Sequence, residues 1–252
     1  MERDIKITFF NINAASLNMA SKRLAINSKL KEYNPDVVVI TETWLTSSTL
    51  NISQIISDEL NYATYRRDRG GSRRGGGVLI LVSNRYKSCI ETKYETNCEI
   101  TWVSMKIPGL DPVYIAAYYK PNERDTTSLS EFKTSLELVR NANSGNILII
   151  LGDFNFPKLK WDGDTPTIEN NCSNKKQNEM FLGVLADHHL TQMVKEPTRK
   201  GNILDLFLTS KPSYVTDVKI IPGISDHDIV YAVMTVPIAE NYRYSTTAST
   251  YT

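Results

Sequence analysis

The sequence predicts an α/β fold in which two packed β-sheets are flanked by helices. Three observations carry that expectation. Short apolar runs rich in β-forming residues recur along the whole 252-residue chain. Stretches with helical spacing of apolar residues are interspersed among them rather than gathered at one end. Several neighbouring runs are joined by short turns, which implies antiparallel pairing, while the chain itself opens β-α-β.

Residues 5–10 alternate and form the first expected strand. Residues 21–33 offer Leu24, Ile26, Leu30 and Tyr33 as apolar helical positions, and Asn34-Pro35-Asp36 stops that helix. Residues 36–40 follow as a strand. Residues 45–65 give no clear pattern. The stretch 66–77 carries Gly70, Gly71, Gly75, Gly76 and Gly77, a density that denies regular structure. Strands are expected to resume at 78–82, 100–107 and 113–119, consecutive and antiparallel. Residues 128–143 read as a helix with Phe132, Leu136 and Val139 on one face. Residues 147–151 are wholly apolar, the mark of a central strand. Residues 156–175, with Pro157, Gly163 and Pro166, read as a loop. A third helix spans 176–186, with Met180, Leu182, Val184 and Leu185 turned partly inward. Strands at 203–209, 215–221 and 229–236 complete the set. Residues 1–238 are therefore expected to form one domain. Residues 239–252 lack periodicity and read as a tail or a linker to a downstream region.

A hydrophobic content of 41% against 23% charged residues is ordinary for a globular chain and excludes wholesale disorder. The net charge of +1 gives no global basic signature, so a nucleic-acid partner must be read from local charge. Cys89, Cys98 and Cys172 fit neither a disulfide framework nor a zinc site. The start lacks the apolar core of a signal peptide, and no run reaches the length of a membrane span. A soluble intracellular protein without a membrane partner is expected.

Polar clusters stand at the ends of the strand-like runs. Glu42 follows 37–40; Asp153 and Asn155 follow 147–151; Asp226 and His227 precede 229–233. A sheet can gather such ends at one edge, where carboxylates, amides and an imidazole suit a hard divalent cation and phosphodiester hydrolysis. Glu42 and Asp226 are metal candidates, with Asn11 or Asn13 orienting water or Glu42. Taken alone, Glu42 reads rather as a solvated strand-end carboxylate. Asp153 is placed to activate water and Asn155 to donate to a phosphate oxygen; the bland alternative is an Asx turn. Asp205 lies within the apolar run 203–208, where a charge requires a partner, and His227 is the partner expected. Tyr119 and Asn122 end another strand and suit phosphate contacts. Arg66, Arg67, Arg69, Arg73 and Arg74 suit a nucleic-acid backbone, or a solvated loop. His188 and His189 end a helix and receive no function.

Read together, these residues resemble the exonuclease III-type endonuclease/phosphatase superfamily, and within it the endonuclease domain of non-LTR retrotransposons. The order runs Asn11 and Asn13, Thr41-Glu42-Thr43, Tyr119-x-Pro121-Asn122, Gly152-Asp153-Phe154-Asn155, Asp205 and Ser225-Asp226-His227. Pro197-Thr198-Arg199 and Gly223-Ile224-Ser225-Asp226-His227-Asp228 look most like the jockey-like clades. The resemblance implies a four-layer α/β sandwich and a Mg²⁺-dependent nick, with Mn²⁺ as the substitute ion, that leaves a 3′-hydroxyl to prime reverse transcription. It implies metal ligation by Glu42, Asn13 and Asp226, and catalytic roles for Asn11, Glu42, Tyr119, Asp153, Asn155, Asp205, Asp226 and His227. DNA contacts are expected from Asn122, Thr198 and the five arginines. Asn13 stands where abasic-site repair members carry Asp, which argues against that activity. The implied partners are double-stranded DNA and a reverse transcriptase in the same polyprotein, for a monomeric domain acting in the nucleus. The alternatives are another phosphoesterase of this fold, acting on RNA or phospholipid, and a catalytically silent DNA-binding domain.

Overall fold

A computed structural model of the chain describes residues 4–46, 51–70, 75–161, 165–170 and 172–237. The strands are β1 (Ile5–Asn13), β2 (Val37–Thr41), β3 (Tyr62–Arg67), β4 (Val78–Ser83), β5 (Lys87–Ile90), β6 (Glu99–Lys106), β7 (Val113–Tyr119), β8 (Leu148–Asp153), β9 (Leu159–Lys160), β10 (Thr167–Ile168), β11 (Thr191–Gln192), β12 (Asp205–Thr209), β13 (Val215–Ile221) and β14 (Ile229–Val236). The helices are α1 (Ala20–Tyr33), α2 (Thr126–Ala142) and α3 (Lys175–Asp187).

Two six-stranded sheets, ordered β13-β14-β1-β2-β4-β3 and β11-β12-β8-β7-β6-β5, form the body of the molecule. Both are mixed: β1 pairs with β2 and β7 with β8 in parallel, and the other pairings are antiparallel. Alternation along each strand divides the side chains between two layers of core. Phe9, Val37, Val39 and Ile80 meet Ile115, Ile149, Leu151 and Phe207 between the sheets. Phe10, Ile12, Val38 and Leu79 face outward onto Ile26 and Leu30 of α1. On the far side Trp102, Tyr118 and Ile150 pack against Phe132 and Leu136 of α2 and Phe181 of α3. This gives four layers, helix–sheet–sheet–helix, and explains why the central strands are apolar throughout: both of their faces are covered.

Several expectations are corrected. β4 does not pair with β6 and β7 but joins the first sheet between β2 and β3. β3 lies partly in the unassigned stretch and takes in Arg66 and Arg67, which close a strand rather than open an irregular loop. β5 and β11 are edge strands too polar to stand out. The loop after β8 carries the small β9–β10 hairpin. Asp205 is the first residue of β12, not an interior one. Leu24 is 73% exposed and Met180 37%, so neither belongs to its helix's inward face. The expected tail at 239–252 lies outside the described residues.

Lys120, just past β7, is fully buried. Its Nζ donates to the carbonyl of Asn122 and sits 4.8 Å from the Phe156 ring centroid. Burial lowers its pKa to about 8.

Two stability outcomes follow from the packing. Leu30→Ala should cost about 2–5 kcal/mol in denaturant unfolding, while Leu24→Ala, on the same helix, should stay within about 0.5 kcal/mol. Lys120 binds its proton more weakly folded than unfolded, so its burial penalty is fully present below pH 8 and fades as pH rises from about 8 to 10.5. Lys120→Met should abolish a rise in stability of roughly 2–4 kcal/mol across that window. Unfolding midpoints at pH 7 and pH 10.5 for both chains measure it.

Candidate active site

Strand polarity explains why residues remote in sequence meet. The C-terminal ends of the parallel pairs β1–β2 and β7–β8 share one rim of the sandwich. β12 and β14 run antiparallel to β8 and β1, so they begin at that rim. Asp153 therefore lies in register with Tyr119 on one side and Asp205 on the other. Gly152 permits this packing: a Cβ there would stand 1.7 Å from the Tyr118 carbonyl oxygen. Gly223 does the same for the last loop, since its Cβ would meet the His227 carbonyl oxygen at 1.8 Å.

Asp153 and Asp205 are both fully buried. Asn13, from the other sheet, donates through Nδ2 to Asp153 Oδ2 at 3.0 Å. Asn155 donates to the same oxygen at 3.2 Å, and its backbone N–H donates to Asp153 Oδ1 at 3.1 Å. The Asx turn and the convergence of Asp153 with Asn155 thus coexist. Asn155 is further fixed by a 2.8 Å bond to the Lys120 carbonyl. Burial and then the neighbouring Asp205 carboxylate hold the Asp153 proton affinity well above the usual carboxylate range.

His227 Nδ1–H donates to Asp205 Oδ2 at 2.7 Å. Burial opposes the imidazolium, but the hydrogen bond and charge of Asp205 outweigh it and the His227 pKa is raised. The bond also fixes the tautomer, leaving Nε2 as the free ring nitrogen.

Glu42 occupies the adjoining rim. Its Oε1 accepts from Tyr119 Oη at 2.8 Å and its Oε2 from Trp44 Nε1 at 2.9 Å. Burial and the negative charge of Glu42 push the Tyr119 phenol far up, so it stays a neutral donor. Ala15, Ser16, Glu42 and Trp44 all have positive φ, between 42° and 95°. Such non-glycine conformations cost roughly 1–3 kcal/mol each and collect at functional sites. Hydrogen bonds between the loops, from Ser16 N to Glu42 O at 2.9 Å and from Leu17 N to Thr43 O at 2.8 Å, hold them there.

Other expected site residues stand elsewhere. Asn11 is fully buried and donates to the carbonyls of Gly152 and Leu206, so it ties the sheets together beneath the site and does not face substrate. Asp226 is half exposed and paired with Arg199 at 2.5 Å. Thr198 is buried, and its hydroxyl accepts from the N–H groups of Leu204 and Asp205, which makes it a brace. Arg66 pairs with Asp68, Arg67 binds the carbonyls of Thr96 and Ile100, and Arg69 pairs with Glu99. These three arginines are thus engaged within the fold. Arg73 and Arg74 lie outside the described residues. Asn122 is exposed and lines an open cleft of about 690 Å³ with Arg67, Arg69 and Arg124, a cleft that none of Glu42, Asp153, Asp205 and His227 lines.

Sequence reasoning missed Lys22, Arg199 and Ser225. Lys22 Nζ donates to the carbonyls of Ala14 and Ala15 at 2.6 Å each. Its pKa is lowered by burial, against the opposing pull of the Asp226 and Glu42 charges. Ser225 Oγ donates to the Asn13 carbonyl at 2.6 Å. Charged side chains on a helix or a loop carry no sequence signal of what they face; Arg199 and Ser225 stood within quoted motifs but were given no role there.

The donor set fits a hard divalent cation. Asp153, Asp205 and His227 each present an atom within 4.8 Å of the others. Asp205 Oδ1 is buried without a protein partner. The raised proton affinity of Asp153 marks a deficit of positive charge, and carboxylate oxygens suit such an ion.

The chain shares its fold with solved nucleases. The endonuclease domain of TRAS1, a telomere-specific non-LTR retrotransposon, superposes with a TM-score of 0.66 at 13% identity, over 92% of this chain and 99% of that one. AP endonuclease LMAP from Leishmania major gives 0.71 at 15%, over 92% and 88%. The 3′-5′ exonuclease NExo from Neisseria meningitidis gives 0.63 at 18%, over 90% and 98%. No curated protein shows significant sequence similarity to the chain. The model of the endonuclease/exonuclease/phosphatase family matches residues 9–227, which span every site residue described above, and the chain belongs to that family.

Proposed function

We propose that the chain is a Mg²⁺-dependent DNA endonuclease that nicks duplex DNA and leaves a 3′-hydroxyl to prime reverse transcription of a non-LTR retrotransposon. The observation that carries the hydrolytic part is the meeting of Asp153, Asp205 and His227 within 4.8 Å beside the Glu42–Tyr119 pair. The ordered motifs and the fold shared with the TRAS1 endonuclease domain support the retrotransposon part. In this reading residues 1–238 are the nuclease and 239–252 a tail or linker toward a reverse transcriptase. The domain works as a monomer in the nucleus.

A divalent cation, when bound, would polarise the phosphate and neutralise charge developing on it. We assign that ion to Glu42 and Asp226, at the rim adjoining the cluster of Asp153, Asp205 and His227; Asn13 supports Asp153 instead, because its amide nitrogen donates there. Asp153 takes the proton of the attacking water, a role suited to a carboxylate of raised basicity. His227, charged and oriented by Asp205, donates from Nε2 to a phosphate oxygen. Tyr119 Oη, which donates to Glu42, and Asn155 Nδ2, which donates to the Lys120 carbonyl and Asp153, stand at the same rim and would contact phosphate by exchanging those partners.

Supercoiled plasmid should be relaxed by the protein with Mg²⁺ and remain intact in EDTA. Asp153→Ala and His227→Ala should each lower the nicking rate by roughly 10²–10⁴-fold, the range for loss of a general base or acid. Undiminished nicking by both variants would overturn the site. Phosphate release from a soluble inositol phosphate, with plasmid untouched, would point to a different phosphoesterase. A second outcome concerns pH. Activity needs Asp153 ionised and His227 protonated, and Asp205 raises both affinities. Asp205→Asn should therefore move both limbs of the kcat/KM profile to lower pH, besides lowering its height. Limbs that stay in place would remove Asp205 from the proton chemistry.

A further inference from the structure

The salt bridge between Arg199 and Asp226 has no part in the chemistry above. Nε and Nη2 of Arg199 both donate to one oxygen, Asp226 Oδ2, at 2.9 and 2.5 Å. The side chains are 34% and 50% exposed. A pair so placed contributes little to stability, so it breaks easily. The fold does not depend on it either. The backbone of Thr198 and Arg199 is bonded to Asn202, and the Thr198 carbonyl accepts from Asp228 N at 2.8 Å. The Thr198 hydroxyl accepts from the N–H groups of Leu204 and Asp205. Both loops are thus held by main-chain bonds, and the two charges sit on a fixed frame.

That frame puts the charges at the seam between two halves of the site. Arg199 acts electrostatically on His227, which lies next to Asp226 in sequence. Asp226 acts, together with Glu42, on the ammonium of Lys22. Contacts on either side tie this frame to the rim: Ser225, next to Asp226, donates to the Asn13 carbonyl at 2.6 Å, and Ser16 N donates to the Glu42 carbonyl at 2.9 Å. Arg199 still has N–H donors beyond the two nitrogens engaged, in a planar fork that suits phosphate oxygens.

We propose that Arg199 and Asp226 are placeholders for the two ligands of the site: the scissile phosphodiester draws Arg199 to itself, and Asp226 is released toward the divalent cation beside Glu42. This rests on the nuclease reading. Each partner keeps the other's charge neutralised until substrate and ion arrive, and each ligand lowers the cost of admitting the other.

Two binding measurements, neither of which needs turnover, test it. The first is the affinity for a fluorescein-labelled 20-base-pair duplex in EDTA. The second is Mn²⁺ affinity without DNA, read by electron paramagnetic resonance. Arg199→Gln should weaken DNA binding about ten-fold and reduce the salt slope by about one. It should tighten Mn²⁺ binding by roughly two- to five-fold, the strength of an exposed pair. Asp226→Asn should do the reverse: Mn²⁺ weakened about ten-fold, as for loss of an important ligand interaction, and DNA tightened. Lys200→Gln removes a neighbouring exposed charge and should change each constant much less. Parallel losses in both variants would reduce the pair to a loop brace and overturn the proposal. Equal effects of Lys200→Gln would reduce it to the general field and overturn it as well. A wild-type protein that nicks plasmid but shows no crossed pattern removes the exchange alone. A crossed pattern without nicking leaves the exchange standing and removes the nuclease reading.

Discussion

Two carboxylates buried side by side set the terms for the whole site. Asp153 and Asp205 occupy paired positions of adjacent antiparallel strands, both without solvent exposure. Apolar packing on both faces of the second sheet encloses the strands that carry them. Like charges in such a place repel, and the proton affinity of Asp153 rises accordingly. The surrounding bonds answer that stress one at a time. Asn13 and Asn155 donate to Asp153, and His227 donates to Asp205. Taking away one partner of a buried charge costs about 3–5 kcal/mol, so the polar residues at this rim are as much a folding requirement as a chemical one. The remaining imbalance draws a cation and gives Asp153 the basicity to remove a proton.

The two sheets divide the work because their strand ends differ. The second sheet supplies Tyr119, Asp153 and Asp205 from neighbouring strands, a set fixed by ladder register. The first supplies Asn13 at the end of β1, while Glu42 and His227 lie just outside β2 and β14. Those loop residues have freedom the ladder would deny, and Glu42 uses it in a left-handed conformation. Asn11 joins the halves: its amide crosses the core to two carbonyls of the second sheet. Its hydrogen bonds align the two rims, which is why a buried Asn stands in a strand that is otherwise apolar around it.

How much of this was legible in the sequence follows from which physical signals are local. The central strands were readable because burial on two faces requires continuous apolar runs, as in 37–40 and 147–151. Asp205 was readable because a carboxylate among leucines and isoleucines demands a partner, and His227 is bonded to it. β3 was not, since all six of its residues are half-buried at a sheet edge and three carry no apolar signal. Leu24 misled because periodicity alone does not say which turn of α1 overhangs solvent. The arginines at 66, 67 and 69 looked like a free basic cluster, but Asp68 and Glu99 neutralise two of them and main-chain carbonyls occupy the third. Charge read along a chain does not disclose its spatial partners. For the same reason Lys22 and Arg199 were given no role, though Arg199 is paired with Asp226 and Lys22 donates to the Ala14 and Ala15 carbonyls at the end of β1.

Their presence resolves an electrostatic difficulty. A phosphodiester carries one negative charge, and the rim gathers four carboxylates: Glu42, Asp153, Asp205 and Asp226. Lys22, Arg199 and protonated His227 offset three of them, so the protein alone presents a small net negative charge to an anionic substrate. A divalent cation reverses the sign, and the substrate then returns the assembly to neutrality. With an aspartate in place of Asn13 the same sum would stay neutral with the cation bound and turn negative with substrate. An amide at position 13 therefore suits this site, because it supplies a hydrogen bond to Asp153 without adding a fifth negative charge. Charge balance, and not the number of acids, decides whether such a rim admits phosphate.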